Sequence, residues 1–185
     1  MNSYKVLNKQ IFSKERYTLV PIRFEDRYDI MKWRNEQIYH LRQAKPLSKE
    51  DQDAYFNNVV AKLFDQDQPK QLLFSFLEDG VCIGYGGLVH INWIDKNAEI
   101  SFIMDTSLEK DRFHEIWQSY LKLIEEVAFS GLSLHKIYTY AFDIRPHLYE
   151  VFENFGFILD ARLSGHCLFN NKFIDVVIHS KFNNL

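Results

Sequence analysis

The sequence is poor in the residues and segments that would place the chain in several common classes of protein. It has two cysteines in 185 residues, Cys82 and Cys167, and neither belongs to a CxxC pair, so a disulfide framework and a zinc site have little support. No apolar run approaches the roughly 18 residues that a membrane span needs, and the polar start MNSYKVLNKQ predicts no secretion signal. We therefore expect a cytoplasmic protein with no membrane partner and no metal site.

Charge of one sign is not in excess either. The chain has 22 lysines and arginines against 25 aspartates and glutamates, which gives a formal net charge of −3. Domains that bind nucleic acid usually carry a basic excess or a basic stripe, so we expect no nucleic-acid partner. Hydrophobic residues make up 46% of the sequence, which predicts an ordered core, and the length predicts a single domain over residues 1–185.

Glycine is also scarce, with seven in the whole chain, about half of the usual share. The stretch IGYGG at 83–87 lies inside a predicted strand rather than between a strand and a helix, so it matches neither a Walker loop nor a dinucleotide-binding loop. No Gly-x-Ser-x-Gly nucleophile elbow occurs. These absences exclude several common kinds of phosphate-binding and hydrolytic site.

What the sequence does contain is an orderly series of strand and helix patterns. Asp79-Gly80 between two apolar runs predicts a hairpin, and the apolar spacing from Ile116 to Val127 predicts one buried face of a long helix that ends near Gly131. The order β, α, α, β, β, β, α, β, α, β, β is an α+β plan with a mostly antiparallel sheet. The predicted strands are 17–23, 71–78, 81–93, 98–105, 135–142, 157–164 and 173–182, and the predicted helices are 25–38, 48–64, 111–130 and one that begins at Pro146.

Five phrases, in this order, resemble the GCN5-related N-acetyltransferase (GNAT) superfamily. They are VPIRFEDRYDIMKWRNEQ, IGYGGLVHINWIDKNAEISFIMD, VAFSGLSLHKIYTYAF, LYEVFENFGF and GHCLFNNKFIDVVIHS. The branch that they resemble most includes ribosomal-protein alanine acetyltransferases and bacterial nucleotide-sugar N-acetyltransferases. The resemblance implies a mixed, mostly antiparallel central sheet of about seven strands, with helices on both faces. It also implies that the fourth and fifth strands, here 98–105 and 135–143, splay apart.

The activity that the resemblance implies is acetyl transfer from acetyl-coenzyme A to a primary amine. The pantetheine arm of the cofactor would pair with the backbone of strand 98–105. An amide of Phe102, Ile103 or Met104 would then polarise the thioester carbonyl, as in an oxyanion hole. The pyrophosphate would lie on the loop that enters the long helix, where free amides attract anions.

That loop departs from the pattern of the family, which has Gln or Arg, two residues, Gly, one residue, and Gly or Ala. Aligned through the end of the long helix, this chain reads RFHEIW from Arg112, so Glu115 and Trp117 replace both small residues. Two interpretations stay open. The acids near the helix start could simply satisfy the helix dipole with no phosphate present, or a remodelled loop binds the cofactor. In the second case its binding residues are Arg112, Phe113, His114 and Ile116.

The helix that begins at Pro146 departs from the family as well. Arg145 stands where family members often have Asn, and Phe152 stands where they often have a general-acid Tyr, so we assign both residues to the cofactor site. Tyr149 lies three residues before Phe152, adjacent on a helix, and could protonate the leaving thiolate instead. The alternative for Tyr149 is a half-buried or surface position without a catalytic role.

Two residues are candidates for the base that deprotonates the amine. Glu99 begins the strand 98–105 at a position that often holds the catalytic Glu of the family, and would accept the proton directly or through water. His90 on the neighbouring strand is the second candidate, because the ordinary pKa of histidine suits this task. A lone histidine on a strand is more often structural.

The acceptor pocket should be built from the first helices and the third strand. Trp33, Arg34 and Tyr85 are the candidate wall residues, although Trp33 fits core packing equally well, and Arg42 could meet an anionic group such as a diphosphate. Three kinds of function remain open: acetylation of a small amine, such as an amino sugar on a nucleotide carrier; acetylation of a protein; and a non-catalytic binding module. A homodimer fits any of them.

Overall fold

The computed structural model describes residues 2–183. The helices of this part of the chain are α1 (Arg27–Glu36), α2 (Lys49–Tyr55), the short α3 (Ala61–Leu63), α4 (Glu109–Glu125) and α5 (Pro146–Asn154). The strands are β1 (Phe12–Lys14), β2 (Tyr17–Pro21), β3 (Leu72–Glu78), β4 (Val81–Asn92), β5 (Asn97–Met104), β6 (Lys136–Tyr138), β7 (Ala141–Phe142), β8 (Ile158–Phe169) and β9 (Lys172–Phe182). Turns of π-helix join α2 to α3 and extend α4 to Gly131.

The strands form one sheet in the order β1-β2-β3-β4-β5-β6-β9-β7, with β8 paired to β9. Every pairing is antiparallel except that of β5 with β6. The predicted α+β class and mostly antiparallel sheet are therefore confirmed. The described residues form nine strands rather than about seven, because the predicted strand 135–142 is split into β6 and β7, and the three-residue β1 was too short to show in the sequence pattern.

Helices cover both faces of the sheet, as the resemblance implied. Successive side chains of a strand point to opposite faces. On β5, the Phe102 ring stacks on Tyr120 of α4 with centroids 3.9 Å apart. The next residue of β5, Ile103, points to the other face and is paired with Tyr85 of β4. Tyr85 accepts a hydrogen bond from Arg34 of α1. The α1 side and the α4 side are therefore different faces of one sheet.

The predicted buried face of α4 is confirmed, because Ile116, Tyr120, Leu123, Ile124 and Val127 are each at most 1% exposed. Aromatic residues fill the space between this helix and the sheet, in line with an aromatic content of 16%. The Tyr120 hydroxyl donates a hydrogen bond to the carbonyl of Ser101, at 2.8 Å. This bond ties α4 to the strand that borders the candidate site.

Strands β5 and β6 separate beyond their first residues. Their parallel pairing covers only Asn97 to Glu99 of β5, opposite Lys136 to Tyr138. Further along, β7 pairs with β9 instead, so within residues 2–183 this edge of β5 has no strand partner from Ile100 onward. The predicted splay is therefore present. Among residues 2–183, no helix is both long and apolar enough to cross a membrane.

Candidate active site

A cleft of about 140 Å³ fills the space between the separating strands. One wall is β5 from Glu99 to Ile103, and the other is the segment Thr139–Phe142 with the first turns of α5. Trp117 and Phe152 line its inner end, where their rings meet edge to face with centroids 5.5 Å apart. The cleft thus combines an apolar interior with the free backbone edge of a strand.

The backbone of β5 offers its polar groups to the cleft at alternate residues. The amide just after the strand, on Asp105, donates to the Ile83 carbonyl of β4 at 2.8 Å. Backbone groups of a strand alternate between its two edges, and the register of β4 with β5 is unbroken from Glu99 to Met104. The amides of Phe102 and Met104 therefore face the cleft, whereas that of Ile103 faces β4. The carbonyl of Met104 already accepts a hydrogen bond from Gln37 Nε2, at 2.8 Å.

Glu99 lies at the end of the cleft where the strands meet, and it is 7% exposed. Arg42 Nη2 donates to its Oε1 at 2.8 Å, and His90 Nδ1 lies 2.8 Å from its Oε2. A carboxylate oxygen accepts hydrogen bonds, so we assign the hydrogen between the two groups to His90 Nδ1. The structure thus brings together the two candidate bases as one hydrogen-bonded pair.

The local backbone explains how His90 reaches Glu99. The register between β4 and β5 shifts between Val89 and Asn92, and His90 has a left-handed φ of 51° there. Such a bulge redirects a side chain out of the regular alternation of the strand. The His90 side chain is 61% exposed, so its ring joins the buried carboxylate to solvent.

Arg42 follows α1 in the sequence and lines the cleft. Its guanidinium lies 4.5 Å from the centroid of the Tyr140 ring, a cation–π contact. In this structure the anionic partner of Arg42 is Glu99. Nothing in the sequence pattern pointed to this pairing, because the two residues are far apart in the chain and the segment of Arg42 has no regular period.

The residues aligned with the glycine-rich loop lie in a different place from that predicted. Arg112, Phe113, His114 and Ile116 belong to α4, which begins at Glu109. From the second turn of a helix onward, amides bond to carbonyls four residues earlier and are not available to a phosphate. The segment that enters the helix is Asp105–Leu108. Three of its four amides are engaged, since that of Asp105 donates to the Ile83 carbonyl, that of Ser107 to the Asp105 side chain and that of Leu108 to the Asp105 carbonyl.

Arg112 is part of an ion-pair cluster on the flank of the sheet. It donates to both carboxylate oxygens of Glu78, at 2.9 and 2.7 Å, and to Glu115 at 3.0 Å. Arg16 and Tyr17 also donate to Glu115. Hydrogen bonds from Arg112 and then Tyr17 lower the pKa of Glu115 to about 2. The position predicted to bind phosphate thus carries a carboxylate that is already bound by cations.

This cluster predicts a pH dependence of stability. A carboxylate with a lowered pKa in the folded state stabilises the protein above its unfolded pKa, and that contribution is lost as the pH falls through the folded pKa. We expect Glu115→Gln to be destabilising at pH 7, with the difference from wild type shrinking as the pH falls from about 4.5 toward about 2. Urea unfolding of both proteins at several pH values measures this. A difference that does not change with pH would contradict it.

Arg145 is a buried cation at the outer end of the cleft, 7% exposed. Its Nη2 donates to Glu109 at 2.6 Å, and its Nη1 donates to the ring of His40 at 3.1 Å. Burial and the charge of Arg145 lower the pKa of His40 to about 3, so that ring is neutral. Arg145 Nε is buried without a hydrogen-bond partner among the described residues. The cleft therefore contains an incompletely satisfied cation.

Tyr149 and Phe152 are neighbours on α5, and both rings pack against His179. Phe152 lines the cleft. The Tyr149 hydroxyl points elsewhere, donating to the Phe142 carbonyl at 3.2 Å and the Asp143 carboxylate at 3.0 Å, while its ring stacks on His179. Tyr149 must release Asp143 before it can protonate a thiolate in the cleft.

A second cavity, of about 410 Å³, lies between the α1–α2 face and the sheet. Of the three predicted wall residues, Arg34 and Tyr85 line it together, joined by a 2.6 Å hydrogen bond. Trp33 is 3% exposed and belongs to the hydrophobic core instead. Ser101 lines this cavity as well as the cleft, so the two spaces adjoin at β5.

Solved structures with this architecture include acetyltransferases. Spermidine N-acetyltransferase from Vibrio cholerae in complex with CoA and spermine superposes with a TM-score of 0.77 at 20% identity, covering 91% of this chain and 96% of that chain. The dodecameric form of spermidine N-acetyltransferase from Vibrio cholerae gives a TM-score of 0.75 at 21% identity, covering 91% and 95%. A protein described as a probable acetyltransferase gives 0.74 at 18% identity, covering 94% and 97%. At these identities the likeness shows the fold.

The sequence itself shows the family. Residues 19–178 match the family described as the acetyltransferase (GNAT) domain, and this range includes the splayed strands, Glu99 and Arg145. The match covers most of the 185 residues. The chain therefore belongs to the GNAT acetyltransferase family.

Proposed function

We propose that the protein transfers an acetyl group from acetyl-CoA to a primary amine of a small molecule. The observation that carries this proposal is the cleft between β5 and β7, where an unpaired strand edge leads to the carboxylate of Glu99. An extended pantetheine arm can add to such an edge as a further strand. The apolar rings at the inner end would shield the thioester from water.

The residues of the cleft fit the groups of this cofactor. The Phe102 amide faces the space in which the thioester oxygen would lie, and we propose it as the donor that stabilises the oxyanion. Arg145, with its unsatisfied buried Nε, fits the negative charge of the pyrophosphate. The amides of Ser107 and Leu108 are already engaged, so side-chain charge would take the place of the usual amide cradle.

Glu99 and His90 would act as one proton-accepting pair. The substrate ammonium must lose a proton before its nitrogen attacks the thioester carbon, and the proton passes to His90 Nε2 or, through water, to Glu99. The exposed ring of His90 then releases it to solvent. As the tetrahedral intermediate collapsed, its nitrogen would lose the second proton to water, the C–S bond would break and the thiolate would leave with the electron pair. Tyr149 remains the proposed donor of the proton that neutralises the thiolate.

The acceptor is proposed more narrowly as an amino sugar on a nucleotide carrier, the substrate class of one branch that the sequence resembles. Two of the structural neighbours are spermidine N-acetyltransferases, and spermidine is also a small amine. Acetylation of an amino sugar and acetylation of spermidine are the same class of reaction. The two acceptors differ in the charge of the groups near the reactive nitrogen.

Cofactor binding separates an enzyme from a non-catalytic module. A ligand at 100 times its dissociation constant stabilises a protein by about 2.7 kcal/mol, which raises the melting temperature by several degrees for a domain of this size. We expect acetyl-CoA to produce such a shift and adenosine to produce none. Thiol release with a panel of amines then measures turnover. The absence of any shift at millimolar acetyl-CoA would leave only the binding-module interpretation.

A further inference from the structure

The chain has eight arginines, and seven of them lie within 4 Å of a carboxylate. The exception among the described residues is Arg34, which lines the second cavity. Its Nη1 donates to Tyr85 Oη at 2.6 Å and its Nε donates to Gln43 Oε1 at 3.0 Å. These partners are neutral, so the positive charge of Arg34 has no counter-ion in contact with it.

The guanidinium of Arg34 is nonetheless held in a fixed orientation. Gln43, which accepts its Nε, is itself fixed by donating to the side chain of Asn35 and the carbonyl of Lys45. Two nitrogen atoms of the Arg34 guanidinium, Nε and Nη1, are thus bound. Its third, Nη2, has no hydrogen-bond partner among residues 2–183. A planar guanidinium with free donors is suited to phosphate and carboxylate groups, and a preorganised one binds them with little loss of entropy.

The cavity extends from Arg34 along β4 toward the residue that lies opposite Glu99. Tyr85 lies opposite Ile103, whereas Val89, which also lines the cavity, lies opposite Glu99. Four residues of strand correspond to roughly 13 Å. A ligand with its amine at Glu99 would therefore reach Arg34 only with an anionic group several bonds away from the reactive nitrogen.

We propose that the second cavity binds the anionic group of the acceptor, a phosphate or a carboxylate, through Arg34, and this rests on the proposed acetyl transfer at Glu99. The acceptor is then an amine that carries negative charge, as an amino-sugar phosphate does. A polyamine would place an ammonium group beside Arg34, where the two positive charges repel each other. Asp51 also lines this cavity, and its Oδ2 accepts a hydrogen bond from the Ser48 amide at the start of α2.

Matched ligands test this inference by equilibrium binding, without turnover. Glucosamine 6-phosphate and glucosamine differ only by the phosphate, and saturating CoA in the solution keeps the phosphate out of the cofactor site. We expect the wild type to bind glucosamine 6-phosphate at least ~10-fold more tightly than glucosamine, the effect of a charge-assisted hydrogen bond. Arg34→Gln should reduce this ratio to about 2 or less. Arg16→Gln, on the flank of the sheet that faces α4, should keep the ratio of the wild type.

Three outcomes would overturn the inference: no binding of glucosamine 6-phosphate, equal binding of both sugars by the wild type, or an unchanged ratio in Arg34→Gln. Tighter binding of spermidine than of glucosamine 6-phosphate would count against it too. Failure of the proposed function has a different signature, because the phosphate preference would persist in binding while acetyl-CoA gave no thiol release with any amine.

Discussion

We expect Glu99→Gln to lower kcat for acetyl transfer by about 10²- to 10³-fold, within the usual range for loss of a positioned general base. The amide keeps the size of the side chain, and its oxygen can still accept from Arg42, whereas its NH2 group cannot accept from Nδ1–H of His90. What it loses is the negative charge that orients Nδ1–H of His90 and receives the proton of the amine. We expect KM for acetyl-CoA to change by less than about 3-fold, since Glu99 lies beyond the thioester.

Steady-state kinetics over pH 6 to 10 provide the measurement. The residual activity of Glu99→Gln should rise with pH, because the free amine then forms in solution without help from the protein. The kcat of His90→Gln should fall by about 10-fold, less than that of Glu99→Gln. The proton can still pass through water to Glu99 when the His90 ring is absent. Glu126→Gln, a surface change on the far end of α4, is the matched control. If Glu99→Gln had the same kcat as the wild type, Glu99 would not be the general base.

The sequence predicted both Glu99 and His90 as site residues but did not predict their contact. Each residue was identified separately, Glu99 by resemblance and His90 by the chemistry of its side chain. Their contact depends on a bulge in β4, where His90 has a left-handed φ of 51°. No Gly or Pro marks this bulge in the sequence, so the regular alternation of the strand predicted no such contact.

The long-range partners of the arginines were harder to predict than the elements that carry them. The helices followed from apolar periodicity and turn residues, which are local signals. By contrast, Arg112 with Glu78 and Arg145 with Glu109 join residues 34 and 36 positions apart. Alignment to a family loop placed Arg112 at the phosphate, whereas the helix that begins at Glu109 directs it to the flank of the sheet.

Arg145→Gln is expected to weaken binding of CoA by about 30- to 100-fold while leaving the affinity for pantetheine nearly unchanged. Pantetheine has the arm that pairs with β5 but lacks the pyrophosphate, so it does not use the charge of Arg145. Removing one partner of a buried, hydrogen-bonded charge pair costs about 2 to 5 kcal/mol, and tenfold in affinity corresponds to about 1.4 kcal/mol. The expected loss of CoA affinity therefore corresponds to the lower part of this range, about 2 to 3 kcal/mol. Calorimetric titration of each ligand gives both affinities.

The comparison within one variant separates cofactor binding from stability. Arg145 is buried beside Glu109 and His40, so its loss also destabilises the fold, but a partly unfolded population lowers the apparent affinity for both ligands equally. A selective loss for CoA therefore reports the phosphate contact alone. An equal loss for CoA and pantetheine would show that Arg145 acts only in folding.

Glu109→Gln is a second test of the proposed phosphate contact, because Glu109 occupies the place next to Arg145 that a phosphate oxygen would take. Its carboxylate accepts from Arg145 at 2.6 Å and is 22% exposed, so an incoming anion must compete with it. Neutralising Glu109 removes this competitor and its repulsion of the pyrophosphate, and we expect the affinity for CoA to rise by a few-fold. A fall in affinity would mean that Glu109 serves mainly to hold Arg145 in position, and that the pyrophosphate binds elsewhere on the chain.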